Sequence, residues 1–188
     1  RGMASTTSNM ADRMIWLDME MTGLDVDTCH IMEIACLVTD ADLEIVSDDF
    51  HVIVHQPDDV LDSMNPWCIQ QHAKSGLTAA CRASMIPLSV AKQMTYDFLA
   101  ANVPEKKCPI AGNSVWMDRI FLRKYMPLVD AYAHYRIIDV SGVKELTRRW
   151  CPQLYKSSPT KVFNHRALDD IRESISELKY YKSKIFNP

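Results

Sequence analysis

Residues 14–24, which read MIWLDMEMTGL, constrain the fold more than any other stretch of the 188-residue chain. An apolar run that ends at Thr22 and Gly23 is typical of a buried strand followed by a turn. Side chains two positions apart on a strand point to the same face, so Asp18 and Glu20 project side by side. The sequence therefore predicts a strand in the core that ends in two adjacent carboxylates.

Two carboxylates this close repel each other unless a positive charge neutralises them or one of them holds a proton. A divalent cation such as Mg²⁺, which binds oxygen ligands almost exclusively, is a common partner for such a pair. A strand end at which both acids are in water explains the pair equally well. Taken alone, Asp18 and Glu20 leave these two interpretations open.

The composition restricts the class of protein and of partner. The residues are 47% hydrophobic and 24% charged, which is ordinary for a globular protein, and the length suits one domain. No apolar run approaches the roughly 18 residues of a membrane span, so we expect no membrane association. The net charge of −3, without a polybasic block, argues against long duplex nucleic acid as a ligand, because phosphate neutralisation dominates such binding.

The six cysteines are scattered along the chain. None forms a Cys-x-x-Cys pair and no Cys/His cluster has zinc-binding spacing, so we expect free thiols in a reducing, intracellular compartment. Residues 1–10 are interpreted as a disordered tail or an expression remnant, and residues 11–188 as one domain. A transit peptide could have preceded them, so the cytoplasm and the mitochondrion both stay open.

The rest of the chain predicts a strand meander followed by alternating helices and strands. Strands are predicted at 31–39, 43–46, 50–54, 109–111 and 136–140, and helices at 61–72, 75–83, 88–102, 115–125, 141–150 and 167–186. Pro127 is expected to end one helix and Ser141 to cap another, and residues 154–164 are expected to form a polar loop. This order indicates an α/β fold with a mixed central sheet flanked by helices.

Further candidate residues follow in the second half of the chain. Asp118 lies one turn into the helix that follows the turn at Gly112, Asn113 and Ser114. His165 and Asp170 are five positions apart, which does not suit one helix face, so the histidine is placed on the loop before the last helix. Each acid also has a plain explanation, as a surface charge or as a partner of the helix dipole.

Four segments taken together resemble the DEDDh 3′→5′ exonucleases of the RNase H-like fold, and within them the oligoribonuclease group. The segments are WLDMEMTGLD, GNSVWMDRIFL, HYRIIDVSGVKEL and HRALDDIRESI, and they occur in the order and at the separations typical of the family. The resemblance covers residues 15–186. It implies an RNase H-like exonuclease fold and an enzyme that shortens RNA from its 3′ end, releasing nucleoside 5′-monophosphates.

The resemblance also implies the catalytic roles. The four carboxylates that would bind two Mg²⁺ or Mn²⁺ ions per active site are Asp18, Glu20, Asp118 and Asp170. Two ions can serve both the attacking and the leaving oxygen of a phosphodiester, and four carboxylates nearly balance their charge. His165 would be the general base, since a histidine with an ordinary pKa of about 6.5 can accept a proton near neutral pH.

By the same resemblance, other residues would hold the RNA. Leu24 would wedge against the terminal base and Trp67 would stack on it, with His72 nearby. The residues that would bind the 5′-phosphate are Ser114, Arg136 and Ser141, with Tyr135 reaching across the interface of a homodimer. A clamp at both ends would limit the substrate to about two to five nucleotides, which suits the small net charge.

Other interpretations stay open at this point. The run DMEMT, from Asp18, is close to the Asp-x-Asp-x-Thr of haloacid-dehalogenase-like phosphatases, in which Asp18 would be an aspartyl nucleophile. A DEDDh exonuclease acting on DNA or on longer RNA keeps the same fold and acids, and a non-catalytic binding module leaves the acids without a use. Trp67 could instead anchor the core. Departures from the family pattern beside Asp118 and His165 are Trp116, Met117, Phe163 and Asn164.

Overall fold

The computed structural model describes residues 9–159 and 166–186. Its strands are β1 Met14–Met21, β2 Ile31–Thr39, β3 Phe50–Ile53, β4 Ile110–Gly112 and β5 Ile137–Asp139. They form a five-stranded sheet in the order β3-β2-β1-β4-β5. The pairs β1–β2 and β2–β3 are antiparallel, whereas β1–β4 and β4–β5 are parallel, so the predicted mixed sheet is confirmed.

Helices flank the sheet. Within the described ranges they are α1 Asp58–Asp62, α2 Pro66–Lys74, α3 Leu77–Ala83, α4 Leu88–Asn102, α5 Val115–Tyr125, α6 Pro127–Tyr132, α7 Val140–Trp150, α8 Pro152–Lys156 and α9 Ala167–Tyr181. A 3₁₀ turn at Met10–Asp12 precedes β1, and a π-helical segment at Lys182–Phe186 follows α9. The described helices include none with the length and apolar character that a membrane crossing requires.

Strand β1 separates two hydrophobic cores. Its residues Ile15 and Leu17 belong to one core, and Trp16, one position along, belongs to the other, which includes Ile171 of α9. This is the alternation of a strand that is covered on both faces. Because Asp18 has the same parity as Trp16, it points toward the face that α9 covers.

Several predicted elements differ in the structure. Residues 43–46, predicted as a strand, contribute one isolated bridge between Thr39 and Ile45, because Leu43 has a positive φ of 70° that interrupts extended backbone. The single helix predicted at 61–72 is two helices. Asn65 divides them, because its side chain accepts a hydrogen bond from the Cys68 amide and caps α2.

The predicted helix ends also change in the second half of the chain. Pro127 begins α6 at its first position, where a missing N–H costs nothing, instead of only ending α5. Asp139 caps α7 by accepting a hydrogen bond from the Ser141 amide, so the prediction that Ser141 is the cap was wrong. The expected loop at 154–164 begins within α8. All six cysteines lie in the described ranges and are free thiols, as predicted.

Candidate functional site

Three carboxyl groups converge at the end of β1. Oxygen atoms of Asp18, Glu20 and Asp170 all lie within 4.8 Å of one another. Strand alternation places the first two on the face that α9 covers, and Asp170 lies in the first turn of that helix. Ala167 and Ile171, which flank it, are buried against the sheet and hold the helix in place. The structure thus brings together three of the four predicted acids.

Asp118 is buried beside this group but is bonded to the backbone. Its Oδ1 accepts a hydrogen bond from the Met19 amide at 2.9 Å, so α5 is attached to the strand that carries the first two acids. The approach depends on Gly112, because a Cβ there would lie 2.9 Å from the carbonyl oxygen of Leu17. Ser114 then begins α5 with a positive φ of 51°.

Burial and mutual repulsion raise the pKa values of these acids. The pKa of Asp18 is raised first by burial and then by the charge of Asp118. Burial, followed by the charge of Asp170, raises the pKa of Glu20 to about 8. The pKa of Asp118 is raised to about 7 by burial, although the hydrogen bond from Met19 opposes the shift. Ionising all of them therefore requires a compensating positive charge.

The donor set fits a divalent cation. The clustered groups offer only carboxylate oxygens, which are the ligands that hard cations such as Mg²⁺ and Mn²⁺ prefer. Such an ion would offset both the repulsion between the carboxylates and the free-energy cost of burying their charges. His165, the predicted general base, lies outside the described residues, and so do Phe163 and Asn164.

A cavity of about 500 Å³ opens next to Glu20 and is lined in part by Leu24, Trp67 and His72. Leu24 and Trp67 are 68% and 61% exposed, so Trp67 is not a core anchor. His72 is buried, and its Nε2 donates a hydrogen bond to the Met21 carbonyl at 2.9 Å. A cavity of about 580 Å³ between α4 and α6 is larger, but none of the acids lines it.

The two predicted serines meet where α5 and α7 begin. The Ser114 amide donates hydrogen bonds to Asp139 Oδ1 and to Ser141 Oγ, each at 2.9 Å, and the two hydroxyl oxygens are 3.2 Å apart. Ser141 Oγ in turn donates to Asn113 Oδ1 at 3.1 Å. The hydroxyls are therefore held by a network at two helix N-termini, a setting that favours anions.

Arg136 and Tyr135 lie on the segment that leads into β5. Both side chains are exposed, and the guanidinium carbon of Arg136 is 5.3 Å from the centre of the Tyr135 ring. Arg119 holds the backbone of this segment, because its Nη1 donates hydrogen bonds to the carbonyl oxygens of His134 and Arg136. The guanidinium group of Arg136 and the ring of Tyr135 thus face solvent just before β5, the strand that ends at Asp139 of the serine network.

Sequence reasoning missed several residues of this site. Asp139 and Asn113 organise the serine network, and Asn65 positions the helix that carries Trp67. The signal for Asp139 was available, because an aspartate between a strand and a helix is a typical N-cap. Nothing in the spacing of Asn113 indicated its partner, which lies on another element.

Comparisons with known proteins agree with this geometry. Residues 15–178 match the RNase_T family model, which is described as exonuclease. A probable oligoribonuclease of Drosophila melanogaster is 48% identical over 182 residues, which are 97% of this chain and 86% of that protein. The mitochondrial oligoribonuclease of Homo sapiens is 52% identical over 178 residues, or 95% of this chain and 75% of that protein.

A bacterial relative and solved structures extend the comparison. The oligoribonuclease of Francisella tularensis subsp. tularensis is 48% identical and covers 94% of this chain and 98% of its own length. Exonuclease I of Escherichia coli bound to single-stranded DNA superposes with a TM-score of 0.74 at 16% identity, covering 93% of this chain but 41% of its own. The likeness confirms the RNase H-like exonuclease fold, and the matched family excludes the haloacid-dehalogenase interpretation.

Proposed function

Since the chain belongs to the RNase_T exonuclease family and to its oligoribonuclease group, we propose that it is a 3′→5′ exoribonuclease that degrades very short RNA to nucleoside 5′-monophosphates. Its substrates would be dinucleotides to oligonucleotides of about five nucleotides. The observation that carries the proposal is the convergence of Asp18, Glu20 and Asp170 beside a cavity with an exposed tryptophan. Catalysis and base recognition would then take place side by side.

The acids would hold two divalent cations, Mg²⁺ or Mn²⁺. When bound, such ions stabilise the negative charge that develops on a phosphodiester during in-line displacement. Asp18, Glu20 and Asp170 supply clustered oxygens, and Asp118 supplies a further carboxylate beside them. His165 would accept the proton of the attacking water on its imidazole ring, as a general base.

The base and the phosphate of the substrate would bind at opposite ends of the site. Leu24 and Trp67 would hold the terminal base in the cavity beside Glu20, because an exposed aromatic ring stacks on any base. His72 would support this wall through its bond to the backbone of β1. This arrangement would recognise the flat face that all bases share and would not distinguish one base from another.

At the other end, Ser114 and Ser141 would bind the 5′-phosphate with Arg136, whose planar group suits phosphate oxygens. Exposed Tyr135 would complete this clamp across the interface of a homodimer. A substrate held at both ends must be short, and this is the physical reason for the proposed length limit.

Residues 11–188 would form the single exonuclease domain. It would act inside the cell, in the cytoplasm or the mitochondrion, which matches a mitochondrial human relative and a bacterial one.

The test is a digestion of 5′-phosphorylated RNA of about two to twenty nucleotides with Mn²⁺, with products separated by length. The expected result is that nucleoside 5′-monophosphates accumulate fastest from the shortest RNA, and that DNA of the same lengths reacts more slowly. Asp118→Asn keeps an acceptor for the Met19 amide but removes a charge, so it should fold and lose activity. Equal rates on long RNA, or on DNA, would instead indicate a general exonuclease.

A further inference from the structure

Glu33 is a buried carboxylate to which the proposed reaction gives no role. It lies on β2 directly opposite Glu20 of β1, and its side chain is 1% exposed. A buried carboxylate lowers stability unless positive groups and hydrogen-bond donors surround it. Glu33 has both, because His51 Nε2 and the Arg166 guanidinium bond to its Oε1. The partners of Glu33 at the start of α9 indicate its role.

Arg166 and Ala167 connect Glu33 to the start of α9. Arg166 Nε and Nη2 are each 3.1 Å from Oε1, and the Ala167 amide donates to Oε2 at 3.3 Å. Arg166 is the N-cap residue of α9 and its own side chain does not cap the helix. Glu33 therefore caps α9 from the neighbouring strand, accepting one of the amides that a helix start leaves without an intrahelical partner.

The same turn carries the chemistry. The Asp170 amide donates a hydrogen bond to the Arg166 carbonyl at 3.1 Å. The position of Arg166 therefore determines the position of Asp170 in the first turn of α9. Any movement of Arg166 relative to β2 is thus passed to Asp170, which belongs to the carboxylate group at the end of β1.

We propose that Glu33 and Arg166 form a positioning pair that fixes the start of α9, and with it Asp170, against the strand pair that carries Glu20. The effect on rate rests on the proposed function, whereas the effect on the helix rests on these contacts alone. A displacement of about 1 Å in a reacting group can lower a rate by about 10²-fold, so the pair matters for kcat.

The kinetic test uses Glu33→Gln, Arg166→Met and the double variant on a 5′-phosphorylated dinucleotide with saturating Mn²⁺. Each single variant should lower kcat by at least about 10-fold and change KM by less than about 2-fold, because the cavity that holds the base is intact. The double variant should be no slower than the worse single variant, since both break one pair. Additive losses, or losses confined to KM, would overturn the proposal.

Arg172→Met is the matched control. Arg172 lies on the same helix, its side chain is 45% exposed against 33% for Arg166, and it pairs with Asp49 beyond the first turn. It should keep a kcat close to wild type, and Arg166→Lys should recover part of the loss of Arg166→Met. A loss in Arg172→Met as large as in Arg166→Met would show general tethering of the helix and would refute a specific positioning pair.

Amide hydrogen exchange separates this inference from the proposed function. In Glu33→Gln and Arg166→Met, exchange should be faster at residues 167–170 and unchanged at the far end of α9. A wild-type chain inactive on all RNA would refute the proposed function, while this local effect would still support the pair. Unchanged exchange in the folded variants would overturn it. If Glu33→Gln does not fold, the same comparison between Arg166→Met and Arg166→Lys decides.

Discussion

The ionised form of Glu20 is unfavourable in the folded protein when no cation neutralises it. Its pKa is raised from 4.5 to about 8 in the folded protein, and that of Asp118 from 3.8 to about 7. The folded state therefore holds protons that the unfolded chain has already released. Between about pH 4 and about pH 8 the contribution of these two carboxyl groups to the free energy of unfolding therefore falls as the pH rises.

This gives a prediction for the metal-free protein. With a chelator present, the thermal midpoint should decrease from about pH 5 to about pH 8, and Mn²⁺ should restore more stability at the higher pH. Glu20→Gln should flatten the dependence, because the amide does not ionise. Differential scanning calorimetry at several pH values measures it. A midpoint that rises steadily over this range in chelator would contradict the electrostatic description of the site.

Trp67 allows a second prediction at the scale of one side chain. Stacking on a base contributes about 1–3 kcal/mol, so Trp67→Ala should reduce kcat/KM for a dinucleotide by about 5- to 150-fold, mainly through KM. Ile69→Ala is the control, because Ile69 is an exposed apolar residue of the same helix and does not line the cavity. Steady-state kinetics of both variants decide; equal effects would mean that Trp67 acts only through α2.

The turn between β4 and α5 positions Asp118 through close backbone contact. A Cβ on Gly112 would meet the Leu17 carbonyl at 2.9 Å and Val115 Cγ2 at 3.1 Å. Gly112→Ala should therefore lower the free energy of unfolding by about 1–3 kcal/mol, as an overpacked core position does, and should also reduce activity by moving Asp118. Urea denaturation measures the first effect and dinucleotide cleavage the second.

Gly142→Ala is the control for that substitution. Gly142 lies within α7, and a Cβ added there would meet no heavy atom within 4 Å apart from its chain neighbours and the backbone of its own helix. Alanine favours helix more than glycine does, so this variant should be more stable by up to about 1 kcal/mol. If both variants changed stability in the same direction, the effect at Gly112 would not come from its contact with β1.

Among the elements, prediction succeeded where the signals are local. The bounds of α4 and α5 match the predicted 88–102 and 115–125, since a proline or a Gly-Asn-Ser turn marks the start of each. The error at 43–46 arose because an alternating pattern conceals the left-handed backbone of Leu43. Helix α8 was missed because five residues provide too little periodicity to detect.

For the site, the period of a strand was enough to place Asp18 and Glu20 together, and the family resemblance supplied their partners. Glu33 could not be found in this way. A glutamate within an apolar run gives no indication of which cation it meets, and Arg166 lies on an element remote in sequence. Contacts of this kind are set by how helices pack on the sheet, which local patterns do not contain.

At the scale of the whole molecule, β1 joins both cores. Ile15 and Leu17 pack on one side and Trp16 on the other, so neither core can lose its packing without disturbing the same strand. We expect one cooperative unfolding transition. In a variant with Trp67, Trp116 and Trp150 replaced by Phe, the fluorescence of Trp16 and the far-ultraviolet circular dichroism should share one midpoint. Two separate midpoints would indicate independently folding parts.

The wide sequence separation of the clustered acids has a consequence for synthesis on the ribosome. Asp18 and Glu20 leave the exit tunnel early, whereas Asp170 arrives only with α9. Contacts this distant in sequence form late, because the intervening chain must first be ordered. If these acids bind the cation as proposed, a nascent chain lacks Asp170 until α9 is made, and we expect it to cut no RNA before then. Under the proposed function, activity would therefore begin only when α9 packs on the sheet.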